Sequence, residues 1–113
     1  MGSILEEKSF QFAIRIVELN RFLINEKKEF VMSKQILRSG TSIGANIAEA
    51  QYAQTKPDFL TKMHISLKEA NETKYWLRLL YATKYIDDSH RSYIDDCDEL
   101  LRLLTATCKT IKQ

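Results

Sequence analysis

Four polar residues in the first half of the chain, Arg38, Ser42, Asn46 and Glu49, stand in a pattern suited to recognition chemistry. At about 100° per helical residue, these positions fall within about 80° of one another on a helix. An arginine fork can hold a carboxylate on a neighbouring helix, or a phosphate, through parallel hydrogen bonds. Arg and Asn fit a hydrogen-bonding surface better than the Lys/Glu mix usual on a solvated helix back. A solvated back face remains the plainer reading of the same residues.

Other apparent chemistry does not survive inspection. Gly40-Thr41-Ser42-Ile43-Gly44 matches the G-x-S-x-G elbow of serine hydrolases. That motif works only at a sharp strand-to-helix turn beside an oxyanion hole, and here the flanks read as helical. His64 and His90 are the only histidines, and neither follows a glutamate by three residues, as a di-iron bundle site requires. The acidic run Asp87, Asp88, Asp95, Asp96, Asp98 and Glu99 lacks the turn glycine of a calcium loop; charge at a helix start explains it. No zinc spacing, phosphate-cradling loop or Cys/His nucleophile pair is present in the sequence. The expectation is a non-enzymatic protein with no catalytic residue, cofactor or metal.

The elements that position these residues follow from composition and periodicity. The chain has 113 residues, three Gly and one Pro, and is 44% hydrophobic and 28% charged. This is one domain with too little turn chemistry for a sandwich or barrel, and too apolar for disorder. No apolar run approaches the ~18 residues of a membrane span. On one helix Cys97 and Cys108 would lie roughly 16 Å apart, beyond disulfide reach, so they read as reduced core thiols of a cytoplasmic protein.

The pattern gives four helices with breaks near residues 28–30, 54–57 and 86–89. The first runs from about Ser3 to Lys27, opened by the capping box Ser3-x-x-Glu6. Leu5, Phe12, Ile16, Leu19 and Leu23 share one face; Phe10, Ala13, Ile14, Val17 and Ile24 make a second beside it. Together they exceed the stripe of about 100° that a surface helix needs, which points to self-association or to a helix set deep in its own bundle. The second helix, from about Val31 to Ala53, aligns Ile36, Gly40, Ile43, Ile47 and Ala50, with a small-residue ridge at Gly40, Gly44 and Ala48. Two helix-interior glycines imply a packing reason, since each costs about 1 kcal/mol against alanine. The third begins at Thr55-Lys56-Pro57-Asp58, a cap followed by proline and an acidic first turn. Its core stripe reads Phe59, Met63, Leu67, Ala70, Leu77 and Tyr81, and Ile65, Glu69, Glu72, Trp76 and Leu79 form a second stripe. A Trp flanked by carboxylates off the core stripe fits an interface, or else covers the neighbouring helix. The fourth aligns Tyr93, Cys97, Leu100, Leu101, Leu104, Cys108 and Ile111. Four amphipathic helices with short connections predict an all-α, antiparallel up-down four-helix bundle over residues 1–113. Phe10, Ile14, Val17, Ile65 and Trp76 are the candidate oligomer interface.

Formal net charge is +2, with the surplus in the segments of the second and third helices. A monomer so balanced would bind nucleic acid poorly, but a cyclic assembly repeats any basic patch once per subunit.

The run from Gln35 to Glu49, read as Gln35-Ile36, Arg38-Ser39, Ser42-Ile43, Asn46-Ile47 and Glu49, resembles the signature of the four-helix-bundle proteins encoded in 23S rRNA intervening sequences, also known as S23 ribosomal proteins. Phe59-Leu60, Ser66-Leu67, Glu69-Ala70, Glu72, Tyr75-Trp76-Leu77 and Tyr85-Ile86 resemble that family's third helix. Gly44 stands where the family often has proline, and Ala50 where it often has glycine. The resemblance implies an up-down bundle assembled as a ring, a homopentamer, without catalytic activity. The chain is similar also to the accessory variability determinant proteins of diversity-generating retroelements, basic pentamers that engage nucleic acid. The expected partners are therefore other copies of the chain, RNA or another nucleic acid, or a protein, with no membrane. The expected role is a scaffold for RNA, the alternative being a protein-interaction adaptor that uses the Arg38/Asn46/Glu49 face.

Overall fold

The computed structural model describes residues 3–112, with side chains for residues 4–110. It holds four α-helices: α1 (Ser3–Asn25), α2 (Met32–Ala50), α3 (Lys56–Ala82) and α4 (Arg91–Lys112), the last preceded by a 3-10 turn at Asp88–His90. No strand occurs among the described residues.

Cross-helix pairs set the directions. Asn20 donates to the Ser33 carbonyl at 2.9 Å at one end of α1 and α2, while Ser9 faces Gly44 toward the other. Ser66 meets Ile43 and Thr73 meets Ser39 between α2 and α3. Cys97 meets Ala70 between α3 and α4, and Tyr81 meets Asp88. Lys8 pairs with Glu99, and the Phe22 ring lies tilted against His90, between α1 and α4. Each pair descends one helix as it ascends the next, so all four seams are antiparallel and the helices follow one another around an up-down bundle of 44 × 20 × 19 Å.

The helix ends have local causes. Glu29 caps α2: its carboxylate accepts the backbone N–H of Val31 at 3.1 Å, Met32 at 3.0 Å and Ser33 at 2.7 Å. These are donors that a first turn leaves unpaired. Thr55 caps α3 through the Asp58 N–H at 3.1 Å. Asp87 caps the turn into α4 through the Ser89 N–H at 3.0 Å. The turns after α1 and α3 each place a lysine in the left-handed region, Lys28 at φ 53° and Lys84 at φ 68°. Glycine would take either position without steric cost. The expected capping box at Ser3 and the stripe position Ile111 lie outside the described side chains.

Leu5, Phe12, Ile16, Leu19 and Leu23 are all buried, as are Ile36, Gly40, Ile43, Ile47 and Ala50 of α2 and Cys97, Leu100, Leu104 and Cys108 of α4. The third helix departs from expectation. Met63, Ala70 and Leu77 are buried, but Ser66, Thr73 and Leu80 complete that stripe, while Phe59, Leu67 and Tyr81 are only half-buried. Two hydroxyls sit in the core because each has a partner across a seam: Ser66 donates to the Ile43 carbonyl at 2.8 Å, and Thr73 bonds Ser39 at 2.9 Å. The α2 glycines have a clear reason. A Cβ on Gly40 would sit 2.8 Å from both Ile16 Cγ atoms, and one on Gly44 would sit 3.3 Å from the Ser9 carbonyl oxygen. The ridge therefore seats α1.

Candidate interaction surfaces

Antiparallel packing of α2 on α3 carries the polar set of α2 onto a seam. The Arg38 guanidinium reaches Glu69 at 3.1 Å and also pairs with Glu72. Glu72 accepts the Trp76 indole N–H at 3.0 Å as well, so Arg38, Glu69, Glu72 and Trp76 form one network along the seam. Glu49 pairs with Lys62 at 2.7 Å. The two other members face their own helix: the Ser42 hydroxyl donates to the Arg38 carbonyl at 2.6 Å, and the Asn46 amide donates to the Ser42 carbonyl at 2.9 Å. In this arrangement the arginine fork holds carboxylates of a neighbouring helix. The Arg38 side chain is still 48% exposed, so the pairing is screened and modest in energy.

The second face of α1 points outward. Phe10 is 64% exposed and Ile14 41%, with Val17 half-buried. Phe10 and Ala13 border an open groove of about 680 Å³ between α1 and α2, floored by Thr41, Gly44, Ala45 and Ala48. Ile65 and Trp76 of α3 are half-buried, and Trp76 packs against the core. Phe10, Ile14 and Val17 thus share the α1 face, whereas Ile65 and Trp76 lie on α3.

The fold creates a further surface that no single segment reveals. Both connections 26–31 and 83–87 lie at the same end of the bundle, which collects Arg21, Lys27, Lys28, Lys34, Arg78, Lys84 and Arg91. None of these seven has a carboxylate partner among the described residues. The acidic groups at that end are Glu26, Glu29, Asp87, Asp88 and Asp95. Three of them are already engaged: Glu29 on the α2 backbone, Asp87 on Ser89, and Asp88 on the Tyr81 hydroxyl. Further along the bundle Lys8, Arg15, Arg38, Lys62 and Lys74 are ion-paired, while Lys56, Lys68, Arg102 and Lys109 stand unpaired among the described residues but scattered rather than gathered at one end. Charge counted by segment placed the surplus in the second and third helices; charge counted by end is what would have found this surface.

Burial pushes the Cys97 thiol up to about 12, with Asp98 adding to the effect, which leaves it protonated at neutral pH. Among the described residues no group of three or more His, Cys, Asp or Glu side chains is placed to hold a metal ion, and no helix is long and apolar enough to cross a membrane.

The chain resembles known proteins along nearly its whole length. A crystal structure at 1.70 Å of a protein of unknown function from the S23 ribosomal protein family of Bacteroides thetaiotaomicron VPI-5482 superposes with a TM-score of 0.92, at 56% identity, covering 95% of this chain and 96% of that one. No curated protein matches the sequence. The family model of the 23S rRNA-intervening sequence protein matches residues 3–106, and the chain belongs to that family.

Proposed function

We propose that the chain is a non-enzymatic building block that self-associates into a ring, a homopentamer, and that the assembly serves in the cytoplasm as a scaffold for RNA. The observation that carries this reading is the cationic end of the bundle, where seven basic side chains stand without carboxylate partners. Phosphate binding draws on such unpaired cations, and each subunit of a ring would contribute a copy. The outward α1 stripe of Phe10, Ile14 and Val17 supports the self-association, because large apolar side chains are seldom grouped on a free surface. Filter binding of RNA at rising salt tests the RNA role: affinity falls steeply as salt increases if phosphate contacts carry it. No retention even at low ionic strength overturns it.

A second reading, a protein-interaction adaptor without a nucleic-acid role, draws on the α1/α2 groove beside Phe10. The Arg38/Asn46/Glu49 face serves it less well, since Arg38 and Glu49 are engaged within the chain. Under this reading a pull-down loses its partners on Phe10→Ser and retains them on Arg38→Ala.

A further inference from the structure

An open groove of about 550 Å³ runs between α3 and α4 at the cationic end, lined by Lys74, Tyr75, Arg78, Tyr81, Arg91 and Ile94 among others. Tyr75 is 57% exposed and is braced edge-on by Trp76, ring centres 5.1 Å apart. Arg78 follows Tyr75 by three residues, which puts both on one side of α3. The Arg91 guanidinium stands 5.8 Å from the Tyr81 ring centre across the groove. Lys74 is ion-paired with Asp98 at 2.8 Å, and Asp88 accepts the Tyr81 hydroxyl while keeping its charge. Arg78 and Arg91 are the cations left over, beside an aromatic ring open to solvent.

We propose that this groove binds single-stranded RNA, with an unpaired base stacked on Tyr75 and its flanking phosphates held by Arg78 and Arg91. The inference rests on the RNA reading above and gives it a location. Aromatic rings interleaved with arginines are how sequence-tolerant single-strand sites are built, the ring taking a base face and the cations the backbone. A duplex conceals its base faces and has no use for Tyr75. An acidic peptide would use the two arginines but would gain little from the ring.

The test is fluorescence anisotropy of the full chain with a labelled, unstructured RNA of about 15 nucleotides at low salt. Tyr75→Ala and Arg78→Ala each weaken binding about tenfold, and Tyr75→Phe, which keeps the ring, stays within about twofold of the parent. Both positions are exposed, and unchanged circular dichroism and mass establish that the variants are folded and assembled as the parent is. If the parent binds no RNA, the groove assignment and the RNA reading fall together. If the parent binds and Tyr75→Ala and Arg78→Ala match it within about twofold, the groove is wrong while the RNA reading stands. Equal affinity for a duplex of the same length, or displacement of the RNA by polyglutamate at equal charge, overturns the single-strand assignment.

Discussion

Removing the Glu29 carboxylate tests whether one side chain outside the helices sets the start of α2. The residue is only 7% exposed, and its two oxygens accept three consecutive backbone N–H groups. Truncating an N-cap side chain costs about 0.5–2 kcal/mol. Hydrogen bonds to a charged partner contribute about 1.5–3 kcal/mol each, but these three share one carboxylate and do not add in full. Val31 is exposed and Met32 half-buried, so water replaces part of what is lost, whereas Ser33 is buried and its N–H is left without an acceptor. Together these place the cost of Glu29→Ala at about 3 kcal/mol. At roughly 4 °C per kcal/mol for a domain of this size, the melting temperature falls by about 12 °C.

The pH dependence isolates the charge. Burial pushes the Glu29 carboxyl up, but the backbone N–H groups of Met32, Ser33 and Val31 outweigh it and hold it below the usual glutamate value. A pKa lowered by folding contributes stability that is complete above the unfolded value and is lost as pH falls through the lowered one. Glu29→Gln keeps the shape without the charge, so the parent melts higher at pH 7 and the gap closes below about pH 4. The assay is thermal unfolding by circular dichroism at one protein concentration, since self-association would otherwise shift the midpoint. A drop under about 3 °C for Glu29→Ala at pH 7, or a Gln gap that is constant down to about pH 3, refutes the reasoning.

Other expectations follow from single contacts. Gly40→Ala, normally worth about 1 kcal/mol to a helix, destabilises by about 1–3 kcal/mol because its Cβ meets Ile16; adding Ile16→Ala reduces the penalty, and denaturant unfolding measures both. Lys84→Gly raises stability by about 1 kcal/mol in the same assay, because the native φ of 68° strains any side chain with a Cβ. Cys97 in the folded protein resists alkylation at pH 8 and reacts only on unfolding, as thiol labelling with and without denaturant shows. Phe10→Asp converts a self-associated species to monomer by light scattering while the helix content holds, because Phe10 is 64% exposed and carries no core packing.

The four helices were legible wherever burial coincided with apolar side chains. The first helix shows this best: its two faces separated correctly into a buried stripe from Leu5 to Leu23 and an outward stripe containing Phe10 and Ile14. The third helix was harder because two of its core positions, Ser66 and Thr73, are hydroxyls that meet partners on α2, Thr73 also bonding the Glu69 carbonyl of its own helix, and periodicity in one helix carries no information about a partner on another. The role of Glu29 is hidden in the sequence for a related reason. Glutamate is an unusual cap, and only the left-handed turn at Lys28 brings its long side chain back onto the backbone of Val31, Met32 and Ser33. Arg38 was readable as a fork in search of an anion. Which anion depended on the register of α2 against α3, which places Glu69 and Glu72 opposite it. The cationic end was invisible to any linear count, because four separate stretches of chain supply it.

The hydroxyls between α2 and α3 bear on how many structures the sequence allows. A seam made only of interlocking aliphatic side chains can ratchet by one helical turn, about 5.4 Å, and bury nearly the same area again. Here such a slide would pull the Ser66 hydroxyl off the Ile43 carbonyl and part Ser39 from Thr73, stranding the Ser66 and Ser39 hydroxyls in a dry interior while Thr73 keeps the Glu69 carbonyl of its own helix. Dispersed, sharply resolved methyl resonances would be the signature of a chain confined to one registry, and these buried hydroxyls are what deny the bundle its slipped alternatives.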